Sequence, residues 1–302
     1  MPTLRQKAMS LLLRRYPFYS GCGTLANHPF VQSIAGKSEE RIWTRVPGGE
    51  VLAPLDDHVG RSAYYAGDLD RKVTWICSKL VKNGDTVLDV GANLGLVTMW
   101  LSFLAGSKGA VHAFEPNFDL QDILEQVIKR NCLSNVCLHP IGLGERESDH
   151  ILRVPARNMG MGTLNWNKDL GIDQIREYRV RVRPLSRILE QESITKIRLM
   201  KLDVEGFELN VLKGAETYLR NHQIDAILFE LNDPSNSFYQ EEIIKYLDSL
   251  DYGFFSTPKC LVKMGLKKIE SNKTSAIRSH DFLAAPRGKC FEEIAALVQT
   301  KF

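Results

Sequence analysis

The segment Thr86-Val-Leu-Asp-Val-Gly-Ala-Asn-Leu-Gly-Leu96 constrains the fold of this chain more than any other. It is an apolar run that ends in an acid and a glycine-spaced turn, then passes into helix-forming residues. Val87, Leu88 and Val90 suit a buried strand, while Gly91 and Gly95 let the backbone turn sharply and approach a ligand with no Cβ in the way. A parallel α/β sheet begins a nucleotide-like site in this manner, with Asp89 at the carboxyl end of its first strand. A dinucleotide fingerprint requires Gly-x-Gly-x-x-Gly, so that a pyrophosphate lies on the helix N-terminus. Here Asn93 stands two positions after Gly91, and the next glycine is Gly95. An acid just before such a turn repels a pyrophosphate but suits a cationic or hydroxyl-bearing ligand. S-adenosylmethionine, with an ammonium group and no phosphate, has that polarity.

Ala110-Val-His-Ala-Phe-Glu-Pro-Asn117 reads as a second strand ending in an acid, Glu115. In open α/β sheets an acid there accepts hydrogen bonds from ribose hydroxyls. Each charge-assisted bond of that kind contributes about 1.5–3 kcal/mol. Leu120, Ile123, Leu124, Val127 and Ile128 follow at helical spacing, with Asn117 placed as the helix cap. Val136 to Ile141 is a third strand candidate, followed by Gly142. The expected cofactor-binding set is Asp89, Gly91, Asn93, Gly95, Glu115, Pro116, Asn117 and Gly142.

Two further strands gather charge at their carboxyl ends. In Ile197 to Glu205 a period of two places Ile197, Leu199, Lys201, Asp203 and Glu205 on one side, apolar first and charged last. Ala226 to Asn232 repeats the design with Glu230 and Asn232.

Taken together, Val90-Gly-Ala-Asn-Leu-Gly95, Ala113-Phe-Glu-Pro-Asn117, Lys201-Leu-Asp-Val-Glu-Gly-Phe-Glu208 and Ala226-Ile-Leu-Phe-Glu230 resemble the FkbM family of S-adenosylmethionine-dependent methyltransferases over roughly residues 60 to 235. The resemblance implies a Rossmann-like class I methyltransferase fold: a mostly parallel, seven-stranded sheet with helices on both faces, closed by an antiparallel pair. It also implies methylation of a hydroxyl on a saccharide or secondary metabolite. An N- or carboxyl-methyltransferase on the same fold is the alternative enzyme, and a non-catalytic binding protein the alternative class. Alignment of acceptor oxygen, methyl carbon and sulfur accounts for ~7–11 kcal/mol of such a reaction. A carboxylate that accepts the hydroxyl proton contributes roughly 10²- to 10⁴-fold more. Asp203 is the first choice for that base, Glu205 the second, Glu230 an orienting partner, and Lys201 the cation that stabilises a carboxylate or developing alkoxide. His139, at the end of the third strand, reads as a hydrogen-bonded histidine more readily than as a base. Asp203 and Glu230 would suit a divalent ion, as in catechol-type methyltransferases, but no third ligand is identifiable, and no metal is expected.

Composition agrees with an enzyme of this kind. A chain of 302 residues, 44% hydrophobic, buries one sizeable α/β core. Its net charge of +3 is too small to point to nucleic acid. Six cysteines, Cys22, Cys77, Cys132, Cys137, Cys260 and Cys290, lack Cys-x-x-Cys spacing or a partner histidine motif, so neither a zinc site nor a disulfide framework is expected and a cytoplasmic location is the default. No run reaches the ~18 apolar residues of a membrane span. The stretch Leu4 to Arg15 mixes leucine with Arg and Lys, which suits a helix packed on its own domain and also peripheral contact with a membrane surface.

Residues 1–68 form a breaker-rich leader expected to cap a methyltransferase domain at 69–302. A substrate-side insertion is expected at about 150–183. Within it Arg179, Arg181 and Arg183 alternate with Val180 and Val182, placing three guanidinium groups on one face. An anionic group on a glycan and a solvated edge strand both account for that pattern. Lys259 to Arg278 is basic and reads as an irregular loop.

Overall fold

Apolar runs flanked by glycine turns become parallel strands because each must bury both of its faces. In the computed structural model, which describes residues 1–36, 38–68, 70–156, 158–165, 174–231, 238–258, 262–270 and 279–298, thirteen strands form. They are β1 Arg41–Val46, β2 Gly49–Pro54, β3 Thr86–Val90, β4 Ala110–Phe114, β5 Val136–His139, β6 Gly142–Leu143, β7 Ser148–Pro155, β8 Ile175–Arg183, β9 Leu199–Leu202, β10 Ile227–Glu230, β11 Tyr252–Ser256, β12 Lys267–Ile269 and β13 Asp281–Pro286. The main sheet has the order β12-β11-β13-β10-β9-β3-β4-β5. Strands β5, β4, β3, β9 and β10 run parallel, and β13 and β11 close the sheet antiparallel. The sheet therefore has the expected Rossmann-like architecture with one strand more than the expected seven. The addition, β12, pairs with β11 and arises inside the segment expected to be an irregular loop.

Strand residues alternate between two layers of helix. Val87, Val111, Leu199 and Leu228 contact Ile76, Leu80, Leu101, Ile294 and Val298 on one side. Leu88, Met200, Leu202, Ile227 and Phe229 contact Leu189, Val211, Leu212, Ile244 and Leu247 on the other. These side chains are at most 3% exposed, so the parallel strands are covered on both faces. The order reverses at β3, whose neighbours β4 and β9 are reached by opposite crossovers. Ligand crevices form at the carboxyl ends of strands at such a point.

A second, three-stranded sheet has the order β6-β8-β7. Strand β8 is therefore central, which corrects the expectation of an edge strand. Val180 and Val182 are buried, while Arg179 and Arg181 remain on the exposed face. Arg179 donates to Asp149 (2.8 Å), Arg181 to Glu147, and Arg183 to the Gln191 side chain (2.9 Å). The arginines are already occupied by intramolecular partners rather than gathered into an anion pocket.

The leader contributes the helices Leu4–Leu13, Cys22–Ala26 and Pro29–Ala35, the β1–β2 hairpin, and the turn His58–Arg61 continuing through Ser62–Ala66. Its apolar residues Leu13, Val51, Leu52, Ala53 and Tyr65 share one cluster with Leu96, Met99, Leu120 and Ile123 of the main-sheet helices. The helix Leu4–Leu13 buries Gln6, Ser10 and Leu13 and leaves Leu4, Leu11 and Leu12 exposed. No described helix is long and apolar enough to cross a membrane.

Arg14 joins the pieces of the leader. Its guanidinium donates to Ser10 Oγ (3.1 Å), Thr44 Oγ1 (2.7 Å) and the carbonyls of Arg45 (2.8 Å), Ala63 (3.1 Å) and Tyr64 (3.1 Å). Bonds to a charged group contribute about 1.5–3 kcal/mol each, and solvent replaces some of them on deletion. Arg14→Ala should therefore cost roughly 2–4 kcal/mol in denaturant unfolding. A loss no larger than that of the exposed Arg15→Ala would contradict this role.

Candidate functional site

A cleft enclosing about 610 Å³ of space, part of it open to solvent, lies at the carboxyl ends of β3, β4 and β9. Gly91, Asn93, Glu115, Pro116, Asn117, Gly142, Asp203 and Glu205 all line it. Asp89, Gly95, Lys201 and Glu230 do not. The two turn glycines serve the fold at least as much as a ligand. Gly91 has φ +81°, and a Cβ there would stand 1.9 Å from the Asp203 carbonyl oxygen. Gly95 has φ +83°, and its Cβ would meet Leu124 Cδ1 at 2.5 Å. The first glycine lets β9 approach β3, and the second lets the helix Phe118–Arg130 approach the turn.

Glu115 is fixed by the backbone on both sides of it. Its Oε2 accepts from Asn93 N (2.8 Å) and its Oε1 from Asn117 N (2.9 Å). Asn93 adopts φ +54°, a left-handed conformation that asparagine tolerates and that aims its N–H at the carboxylate. Asn117 caps its helix by accepting from Asp119 N at 3.1 Å. Burial pushes the Glu115 pKa up to about 7, against the lowering by those two N–H groups and Lys201. Each carboxylate oxygen keeps a second lone pair for a ligand hydroxyl.

Behind the cleft wall lies a buried charged unit. Lys201 Nζ donates to the Gly91 carbonyl (2.8 Å) and stands 3.6 Å from Asp89 Oδ1 and 3.4 Å from Asp203 Oδ2. Burial would lower the Lys201 pKa, but Asp203, Asp89 and Glu115 outweigh it and hold the ammonium above its ordinary value. Asp89 is fully buried, and burial raises its pKa. Its Oδ2 accepts from Thr98 Oγ1 at 2.6 Å, whereas its Oδ1 makes no hydrogen bond among the described residues. Asp89 thus supports the turn from beneath, rather than presenting its carboxylate to the cleft as the sequence suggested.

The lip of the cleft departs from the strand pattern expected for Ile197 to Glu205. Strand β9 ends at Leu202, so Asp203 stands just beyond it, with a side chain 44% exposed. Glu205 has φ +54° and Gly206 φ +93°, which takes Glu205 off the strand face. The acid that organises this turn is Glu208, which heads the helix Glu208–Gly214 and accepts from Val204 N (3.2 Å) and Gly206 N (3.1 Å). Its place in the first turn of an apolar-periodic helix was the available sequence signal.

The inserted segment closes the opposite side. Leu152, Met159, Gly160, Gly162 and Leu164 line the cleft, and Thr163 Oγ1 donates to the Glu205 carbonyl at 2.7 Å. Asp57 of the leader, which sequence reasoning passed over, accepts from Met159 N (2.8 Å), Val59 N (2.8 Å) and Gly60 N (3.1 Å). An Asp heading a short helix is a cap signature, but nothing local identifies Met159 as its third donor.

Glu230 ends β10 opposite Asp281 of β13. It reaches solvent, yet crowding by protein atoms and by the carboxylates Asp203, Asp281 and Glu205 pushes its pKa up to about 7. Asp281 in turn pairs with Lys72, which lies 3.1 Å from Asp70. Asn232 lies outside the described residues. His139 is not in the cleft lining; its ring stacks on Phe114 and meets His112 and Glu192.

Residues 89–254 match the family model described as the methyltransferase FkbM domain. Methyltransferase 1 of Beauveria bassiana (strain ARSEF 2860) is 27% identical over 169 residues, which cover 50% of this chain and 66% of the relative. A crystal structure of methyltransferase FkbM from Methylobacillus flagellatus KT is similar with a TM-score of 0.41 and 20% identity, over 67% of this chain and 43% of that one. An S-adenosylmethionine-dependent O-methyltransferase from Thermotoga maritima gives a TM-score of 0.39 and 13% identity, over 83% of this chain and 79% of that one. The match thus spans just under two thirds of the fungal relative and less than half of the Methylobacillus chain. With more than half of its 302 residues inside the matched domain, this chain belongs to the FkbM methyltransferase family.

Proposed function

We propose that the protein transfers a methyl group from S-adenosylmethionine to a hydroxyl of a small-molecule or glycan acceptor. The observation that carries this reading is the donor set of the cleft: among the described residues its ionisable groups are Glu115, Asp203 and Glu205, and no Lys, Arg or His of those residues lines it. An acidic cleft suits a ligand that bears a sulfonium and an ammonium, and repels one that bears a pyrophosphate. Glu115, held by two backbone N–H groups, is fitted to a vicinal diol. Leu120, Leu143, Leu152, Leu164 and Phe207 offer apolar surface for a purine. Gly91, Asn93, Pro116, Asn117 and Gly142 complete the walls.

When bound, the cofactor supplies an already activated methyl group. The work left to the protein is alignment and proton management. Asp203 and Glu205 stand at the lip, with Asp203 as the proposed proton acceptor and Glu205 as its alternate. Lys201 holds Asp203 from behind, and Glu230 is the proposed orienting partner of the acceptor hydroxyl. The same acidic lip disfavours a carboxylate acceptor, and it opposes the phosphate backbone of a nucleic acid.

The base assignment is tested by Asp203→Asn, which should cut turnover on an identified acceptor by roughly 10²- to 10⁴-fold, well beyond any loss of cofactor affinity; near-full activity removes Asp203 from this role. Glu115→Ala should weaken S-adenosylmethionine binding by about tenfold or more in calorimetry, since ~1.4 kcal/mol is a tenfold change. An unchanged dissociation constant would overturn the diol contact.

A third test is independent of any acceptor. The Glu230 pKa rises from its ordinary 4.5 to about 7, so the native state holds that proton more tightly than the unfolded chain. The resulting stability is full below about pH 4.5 and is lost as pH rises to about 7. Glu230→Gln should accordingly gain Tm relative to wild type across that window. A difference that stays constant with pH would show that Glu230 does not titrate there.

A further inference from the structure

Four potential metal ligands converge outside the cleft, although no metal-binding spacing joins them along the chain. His112 of β4, Cys137 and His139 of β5, and Glu192, which follows the helix Leu185–Gln191, place one ligand atom each within 4.8 Å of all the others. Strand register brings the first three together, because His112 pairs with Cys137 and Phe114 with His139. His112 Nδ1 lies 3.1 Å from His139 Nε2 and 3.0 Å from Glu192 Oε2, and His139 Nε2 lies 3.7 Å from Glu192 Oε1. From this convergence we infer a binding site for a zinc-class divalent cation, held by His112, Cys137, His139 and Glu192.

Two features of the cluster favour a cation over a hydrogen-bond network. A single proton on His112 Nδ1 cannot serve both His139 Nε2 and Glu192 at full strength, whereas one cation satisfies every lone pair aimed at the common point. The spacing also fits. Two nitrogens at about 2.05 Å from a tetrahedral zinc lie about 3.3 Å apart, close to the observed 3.1 Å. Two imidazoles, a thiolate and a carboxylate form a ligand set that zinc accepts and that hard cations such as magnesium do not. Cys137 and Glu192 are solvent-exposed, so their side chains can rotate inward to contract the shell. The thiol proton leaves to solvent on binding.

The site would also have a mechanical consequence. Strand β5 is the edge of the main sheet, and a cation here ties it to β4 and to the end of the helix Leu185–Gln191. His139 stacks on Phe114 with ring centroids 4.4 Å apart, and its carbonyl accepts from Glu115 N at 3.2 Å. Phe114 and Glu115 both line the cleft, so the cation would brace that wall from outside.

The test is titration of the chelator-treated full chain with cobalt(II) and, in parallel, zinc(II). Wild type should take up one equivalent of cobalt with the intense visible bands of tetrahedral coordination and a near-ultraviolet thiolate charge-transfer band, and zinc should displace it. Cys137→Ser should abolish the charge-transfer band, and Glu192→Gln should weaken binding by roughly tenfold or more. Both positions are exposed, so these variants should fold. Cys132→Ser, which alters another exposed thiol, should behave as wild type. Zinc should raise the Tm of wild type and not that of the Cys137→Ser/Glu192→Gln double variant. No saturable cobalt spectrum in wild type, or a charge-transfer band retained in Cys137→Ser, would overturn the site.

Discussion

Lys201 is the group on which the cleft end of the structure depends. It is a buried cation on the central strand β9, and desolvating an ammonium is tolerated only where partners surround it. Here the partners are Asp89 on β3, Asp203 at the lip and the Gly91 carbonyl in the turn. One side chain therefore connects the sheet interior, the glycine turn and the proposed base. The same arrangement explains why Gly91 has no side chain: the Asp203 carbonyl occupies the volume a Cβ would need.

The features legible in the sequence were those encoded by local period and composition. Thr86–Val90, Ala110–Phe114 and the helix Phe118–Arg130 could be read from runs, alternation and the Asn117 cap, because their burial follows from spacing along the chain. The placement of Gly91, Asn93, Glu115, Pro116, Asn117, Gly142, Asp203 and Glu205 around one cleft followed from putting charge at the carboxyl ends of parallel strands. Alternation failed where the strand stopped. Glu205 shares a period with Asp203, but β9 ends at Leu202, and a left-handed turn re-aims everything after it. The direction of the Asp89 side chain is not legible in the sequence, because a run buried on both faces carries no sign of which layer its one acid enters.

Other features were hidden because their partners are distant in sequence. Strand β8 looks like a solvated edge until β6 and β7 flank it, and its arginines look available until Asp149 and Glu147 stand opposite. The cluster of His112, Cys137, His139 and Glu192 has no compact motif, since the register of β4 against β5 and the end of a later helix assemble it. Asp57 likewise reads as a simple cap, although its second oxygen holds Met159 of the insertion 102 residues away.

That last contact shows how the leader and the insertion bear on the cleft. The main sheet supplies the floor with Glu115 and Asp203, but Met159, Gly160 and Leu164 supply the opposite wall, and they belong to a segment with few strand bonds of its own. Asp57 is 2% exposed and spends its carboxylate on three backbone N–H groups, two within the leader and one in that wall. A buried carboxylate so engaged resists separation from its donors, because parting them would leave the charge desolvated and unpaired. The leader is thus coupled to the shape of the cleft without lining it.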